Sequence, residues 1–256
     1  MKRKIACNLA SYGPHREGAF EHLASIGLTN VEIPCPEPGD VEEVRQKLAD
    51  HGLTATSMIL PCQMDADDVV LRFSHALETV SAMEVGIVFT SVKSGELDLD
   101  YVYGRLQNIG DAAAEHGVIV VLETHPDLVT NSQVAIETMA GVAHPNVRVN
   151  FDTANLYYYN EGIDAVEELA RIAPYVGAVH LKDTNGGYRT WHFPALGRGV
   201  VDFGALFELL DAVEFSGPMA LELEGVEGEA LSEQDARSRV EESLEFLERL
   251  DVDWRT

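Results

Sequence analysis

Short β-branched runs alternate along this chain with longer stretches of helical period, and such a run of βα units builds a parallel sheet rather than separate blocks of strands and helices. Eight runs recur: Ile5 to Leu9, Asn30 to Ile33, Thr54 to Leu60, Val85 to Ser91, Val118 to Thr124, Val147 to Thr153, Val176 to Lys182 and Pro218 to Glu224. The stretches between them read as helices, as at Val41 to Asp50 after the turn-rich Pro34-Cys35-Pro36-Glu37-Pro38-Gly39. Eight units predict closure into a (β/α)8 TIM barrel, an α/β fold whose usual length matches the 256 residues here. Gly27, Gly52, Gly117 and Asn146 stand where helices should stop before the next strand. Ser232 and Asp235 have N-cap spacing, and Val240, Leu244 and Leu247 then share one face of a last helix expected on the barrel exterior. No linker, repeat or low-complexity stretch divides residues 1–256, so one domain is expected.

The formal charge of −25 repels nucleic acid phosphates and anionic membranes, which sets both aside as partners. No apolar run reaches the roughly 18 residues of a membrane span, and Asn8 and Ser11 interrupt the first apolar stretch too early for a signal peptide. A cytoplasmic protein is the expectation. Cys7, Cys35 and Cys62 are odd in number and form no C-x-x-C pair, as free or buried thiols of a reducing compartment would. Five lysines stand beside thirteen arginines, and the acids are spread over most of the expected helices rather than gathered in a tail. A salt-adapted surface explains that distribution. The melting temperature should therefore rise between low salt and molar KCl, and a melting temperature indifferent to KCl would remove the explanation.

In a parallel barrel the reactive groups project from the carboxyl ends of the strands. The fifth run ends in Leu122-Glu123-Thr124-His125, the sixth in Phe151-Asp152-Thr153, the seventh in Val179-His180-Leu181-Lys182 and the eighth in Leu221-Glu222-Leu223-Glu224. Glu123 and Asp152 are 29 residues apart and Asp152 and His180 28 apart, each close to one βα repeat, so equivalent positions recur. The larger gap of 42 from His180 to Glu222 is accounted for by a glycine- and aromatic-rich stretch from Thr184 to Val200, long enough to act as a lid. Converging carboxylates repel: at an effective dielectric of 20, two unit charges 4 Å apart cost about 4 kcal/mol. A bound cation removes that penalty. Three carboxylates and an imidazole suit Mn²⁺ first, with Mg²⁺, Co²⁺ and Zn²⁺ also compatible, and the lack of cysteine in the set disfavours a soft-metal site. Glu224 shares the face of Glu222 in an extended strand, so spacing alone leaves either as the fourth ligand.

These segments, with Asn150-Phe151-Asp152-Thr153-Ala154-Asn155 and Leu196-Gly197-Arg198-Gly199-Val200-Val201-Asp202-Phe203, resemble the xylose isomerase-like TIM barrels, a superfamily of sugar isomerases and epimerases that also includes endonuclease IV. The resemblance spans most of the chain. It implies that Glu123, Asp152, His180 and Glu222 hold one divalent metal and that Glu123 and Glu222 also move a proton on either face of a carbohydrate substrate. It also implies a homodimer. Proton transfer next to a carbonyl through an enediolate is the chemistry expected, with a lyase of the inosose dehydratase or β-keto acid decarboxylase kind as the alternative. A barrel that binds sugar without turnover is the third reading. Where ketose 3-epimerases and endonuclease IV usually carry histidine, Asn155 stands; it can hydrogen-bond a hydroxyl but cannot shuttle a proton at neutral pH. Thr190-Trp191-His192 lacks the Asp-x-His that endonuclease IV needs for its additional zinc ligands.

Five more residues complete the expected site. His125, two past Glu123, can orient substrate or act as an acid, or cap the turn before Pro126; Lys182, two past His180, can stabilise charge in the mouth, or pair with Asp183. In the lid, Arg198 and His192 can grip a polar substrate or lie exposed, and Trp191 can exclude water over the sugar or pin the loop.

Overall fold

Residues with branched or aromatic side chains set the strands, and glycines in the left-handed region follow three of the helices that separate them. In the computed structural model, which describes residues 3–255, the barrel strands are β1 (Ile5–Asn8), β2 (Asn30–Pro34), β3 (Thr54–Ile59), β4 (Ile87–Thr90), β5 (Ile119–Glu123), β6 (Val147–Asp152), β7 (Val176–Leu181) and, after a short β8 (His192–Phe193), β9 (Met219–Leu221). Met1, Lys2 and Thr256, at the ends of the expected domain, lie outside the described residues. All neighbours pair parallel in the order β1-β2-β3-β4-β5-β6-β7-β9, and Ile5 opposite Met219 closes the cylinder. Each expected run coincides with one of these strands, β2 running one residue further to Pro34, so the (β/α)8 barrel stands. The helices are α1 (Ala19–Ile26), α2 (Val41–Asp50), α3 (Val69–Ala82), α4 (Leu99–Glu115), α5 (Ser132–Val142), α6 (Asn155–Tyr159), α7 (Ala165–Ile172), α8 (Phe203–Ala212) and α9 (Glu233–Arg249). No described helix is long and apolar enough to cross a membrane.

Gly27, Gly52 and Gly117 take φ of 83°, 64° and 67° just after α1, α2 and α4, a region that costs a Cβ-bearing residue energy. Asn146 does not act in that way: α5 ends on Ala143 at φ 47°, and Asn146 ties the next turn to Val118 O through Nδ2 at 2.8 Å. Ser232 and Asp235 form a reciprocal capping box at the start of α9, whose Val240, Leu244 and Leu247 are buried. That helix packs against α1 and the 3-10 segment Leu9–Gly18 on the barrel exterior.

Two irregularities in the cylinder decide what faces what at its mouth. Between β6 and β7 the pairing passes from Val149–Val176 to Asn150–Ala178, so Gly177 is an extra residue and Asp152 ends opposite His180. A Cβ on Gly177 would press within 2.7 Å of Val121 Cγ1, which is why the bulge carries glycine. Between β2 and β3 the pairing passes from Val31–Ala55 to Glu32–Ser57, leaving Thr56 as the extra residue. Under the mouth, Phe89, Val121 and Ala178 form an apolar layer separate from the main core, with Ile59, Ile87 and Ile119 packed on it. The barrel is thus plugged below the site, and ligands can approach it from the C-terminal rim alone.

Burial pushes the thiols of Cys7 and Cys62 up to about 12 and that of Cys35 to about 11, which disfavours the thiolate form at neutral pH.

Candidate metal centre

Each of four strands delivers one potential ligand to the mouth. Glu123 closes β5, Asp152 closes β6, His180 lies one residue from the end of β7, and Glu222 follows β9 with its N–H bonded to Leu181 O at 3.1 Å. Their side chains are buried, and one donor atom from each lies within 4.8 Å of all the others. Glu224 is not in that set, its carboxylate lying against Lys182 Nζ, so of the two glutamates on one face Glu222 is the one grouped with the other three.

These residues fit a cation. Asp152 Oδ2 and His180 Nδ1 are buried with no hydrogen-bond partner among the described residues, a costly condition for polar atoms. Their neighbours stand in ion-pair range only: Lys182 Nζ is 3.5 Å from Asp152 Oδ2, and Glu222 Oε2 is 3.3 Å from His180 Nδ1. The other ring nitrogen, His180 Nε2, is 2.9 Å from Glu32 Oε1 and donates to it, so Nδ1 is the ring nitrogen left facing the carboxylates, where a cation would take its lone pair in place of a proton. A metal with bonds of about 2.0–2.2 Å holds its donors within roughly 4.4 Å of each other, so small rotamer changes close the cluster around one ion.

Protein groups alone leave the site electrostatically overloaded. Burial, with Glu222 and Glu123 nearby, pushes the Asp152 carboxyl up to about 7 against the pull of Lys182 and His180. Burial works against Glu222 too, yet Lys182 and His180 hold it well below the usual carboxylate range. Glu123 is likewise held low, against its burial, by the neighbouring His125 and His180 rings. Burial would lower Lys182, but Asp152, Glu222 and Glu224 raise it well above an ordinary lysine. Its three carboxylate neighbours thus favour Lys182 as an ammonium that donates into the mouth.

The remaining expected residues divide into two groups. His125 Nδ1 sits 2.6 Å from Glu123 Oε2 with its ring 5.2 Å from that of Tyr159, and its pKa, which burial would lower, is raised by Glu123. Asn155 joins the two halves of the site: Oδ1 accepts from Lys182 Nζ at 3.1 Å, and Nδ2 donates to Glu123 Oε1 at 3.4 Å. Lys182 donates to Glu222 Oε2 at 3.0 Å and packs under the Phe193 ring at 4.4 Å, so its partners are the mouth acids rather than Asp183. In the lid, β8 pairs antiparallel with β10 (Gly225–Val226), His192 opposite Val226, and lays Phe193 over the site. Trp191 stacks edge-on to Phe193 at 5.1 Å and stays 41% exposed, at the outer side of that ring. Arg198 is not gathered at the mouth: it forks onto Glu242 of α9, with Nε and Nη2 at 3.2 and 2.9 Å. Sequence reasoning missed Glu32, Ser91, Tyr159 and Phe193. Ser91 donates to Glu123 Oε2. An acid inside the apolar run Val31-Glu32-Ile33 carries the same signal that pointed to Glu123.

The lid is anchored by Asp183, whose buried carboxylate accepts backbone N–H groups of Thr184, Gly197, Gly199 and Val201 at 2.8–3.2 Å. Asparagine there would lose one acceptor oxygen and strand up to two of these donors, at about 1–3 kcal/mol each. With two donors stranded, we expect Asp183→Asn to lower the melting temperature by roughly 4 °C or more, given about 2–4 °C per kcal/mol for a chain of this size. A scanning calorimetry shift under 1 °C would contradict the anchor.

A model of the xylose isomerase-like TIM barrel family matches residues 20–250. This chain belongs to that family. It is 25% identical to a ketose 3-epimerase of Arthrobacter globiformis, over 86% of this chain and 83% of the relative. It is 29% identical to an inosose dehydratase of Klebsiella pneumoniae, over 81% of this chain and 83% of the relative. Among solved structures it superposes on the IOLI protein, crystallised with a zinc atom, with a TM-score of 0.76 at 17% identity over 96% of this chain and 97% of the other. The xylose isomerase-like barrel is thus shared with enzymes of more than one reaction type.

Proposed function

We propose that this chain is a divalent-metal-dependent isomerase or epimerase of a ketose, sugar acid or related polyol-derived ketone, acting by proton transfer at the carbon next to a carbonyl. The observation that carries the reading is the pairing of Glu123 and Glu222 from β5 and the end of β9, on either side of one buried ligand cluster. Mn²⁺ suits the oxygen-rich donors best, with Mg²⁺, Co²⁺ and Zn²⁺ compatible, and such an ion supplies the Lewis acidity that lets an enediolate form at neutral pH.

The chain's own groups do the rest. Glu222, kept ionised by Lys182 and His180, accepts the proton from the substrate carbon. His125, its pKa raised beside Glu123, is the proton reservoir through which Glu123 returns a proton to the opposite face. One C–H bond breaks and one forms, with no net change in composition. Lys182 donates to the developing negative oxygen, and Phe193 and Trp191 keep water from it.

A dehydratase is the second reading, favoured by a specific feature: Lys182 remains protonated and can donate to a departing hydroxyl, and the inosose dehydratase relative is matched over most of its length. Incubation of the metal-loaded protein with ketoses, sugar acids and inososes in D₂O separates the two. Epimerisation places deuterium at the α-carbon of a product with unchanged composition; dehydration gives a product lighter by one water. Turnover with no solvent deuterium in the product, at any time point, counts against the proton-transfer reading.

A further inference from the structure

Glu32 is 1% exposed, projects from β2 across the barrel from β7, and has no part in the proton transfers above. A carboxylate so buried is expensive unless paired and hydrogen-bonded. No lysine or arginine pairs with it among the described residues; its one ionic partner is His180. Three donors surround it instead. Oε1 accepts from His180 Nε2 and from Asn8 Nδ2, each at 2.9 Å, and Oε2 accepts from Ser57 Oγ at 2.7 Å. The bulge at Thr56 is what brings Ser57 opposite Glu32; in an unbroken register Thr56 would stand there and Ser57 would face the other side of the sheet. Asn8 extends the cradle to the ligand cluster by a second bond from Nδ2 to Glu222 Oε1 at 3.3 Å.

We propose that Glu32 is the positioning residue of the metal centre: it fixes the His180 ring with the proton on Nε2, so that Nδ1 presents its lone pair to the ion, and its charge strengthens that nitrogen as a donor. The proposal rests on reading the four-residue cluster as a metal site. Carboxylate–histidine pairs of this kind act on the metal through the ring, and their loss typically weakens binding by about 10- to 100-fold. Asn8 and Ser57 hold the carboxylate in place from behind, which leaves its orientation independent of the ion.

The test titrates Mn²⁺ and Co²⁺ into the wild type, Glu32→Gln and Ser57→Ala, after chelator treatment, by calorimetry and by visible absorption of the Co²⁺ form. Glutamine keeps an oxygen for His180 and Asn8, and the Ser57 hydroxyl can turn to accept from its amide, so the metal-free fold should survive with an unchanged circular dichroism spectrum. The expected result is a metal affinity about 10- to 100-fold lower in Glu32→Gln with a shifted Co²⁺ band, and a loss of a few-fold in Ser57→Ala. A role in folding alone would move the melting temperature of the metal-free protein but leave the affinity and the band of the folded variant unchanged. Wild-type protein that takes up no metal overturns both readings. Wild type that binds one ion, with Glu32→Gln binding as tightly and with the same spectrum, overturns the role of Glu32 alone. If Glu32→Gln does not fold, Ser57→Ala decides, an affinity equal to wild type being the overturning result.

Discussion

A Glu222→Gln variant is expected to turn over substrate about 10²- to 10⁴-fold more slowly than wild type while remaining folded, the range that removal of a positioned acid or base usually produces. Glutamine matches the shape of Glu222 but cannot accept a proton from carbon, and it is a poor ligand for a hard cation. The fold should tolerate it, because Lys182 keeps Asp152 at 3.5 Å and the carboxylate of Glu224 as partners and is not left as an unpaired buried charge. The effect should fall on kcat rather than on KM alone. Steady-state kinetics on the substrate found in the D₂O screen, beside circular dichroism of both proteins, checks it. Turnover within a factor of ten of wild type would remove Glu222 as the base.

Chelation is expected to produce a large change in stability. An ion that binds the folded chain alone stabilises it by RT ln(1 + [L]/Kd), about 2.7 kcal/mol at one hundred times Kd. For a chain of this length that corresponds to roughly 5–10 °C in melting temperature. The physical source is local: burial and neighbouring carboxylates push Asp152 up to about 7, so without a cation the folded state carries a strained set of charges that the unfolded chain does not. Scanning calorimetry with excess Mn²⁺ and then with EDTA measures the difference. Identical melting curves would mean that Lys182 and His180 suffice to neutralise the cluster.

The barrel was legible in the sequence because period-two and period-3.6 patterns alternate cleanly from Ile5 to Glu224, and because a strand buried on both faces is apolar enough to stand out. The ligand cluster was legible for a related reason: an acid at the end of such a run, as in Val120-Val121-Leu122-Glu123, has no bland role in a core. What stayed hidden depends on contacts distant in sequence. Glu32 meets His180 148 residues further along, and nothing local announces it except its own misfit with Val31 and Ile33. The bulges that align Asp152 with His180 and Glu32 with Ser57 are shifts of one residue, below the resolution of periodicity. Arg198 looks like a gripping residue in Gly197-Arg198-Gly199, yet it turns outward because Glu242 on α9 waits there. The lid strands β8 and β10 are two residues each, too short to show any period. Glu222 and Glu224 share a face by alternation, and the partner of each, the cluster for one and Lys182 for the other, appears in three dimensions alone.

Metal content measured by elemental mass spectrometry, on wild type and Asp152→Asn after exchange into buffer containing Mn²⁺ and removal of excess ion, bears most directly on the centre. One ion per wild-type chain, and less than a tenth of that in the variant, is the result expected of a cluster whose buried acids are held together by a cation. Wild type without metal, or a variant that retains as much as wild type, would contradict it.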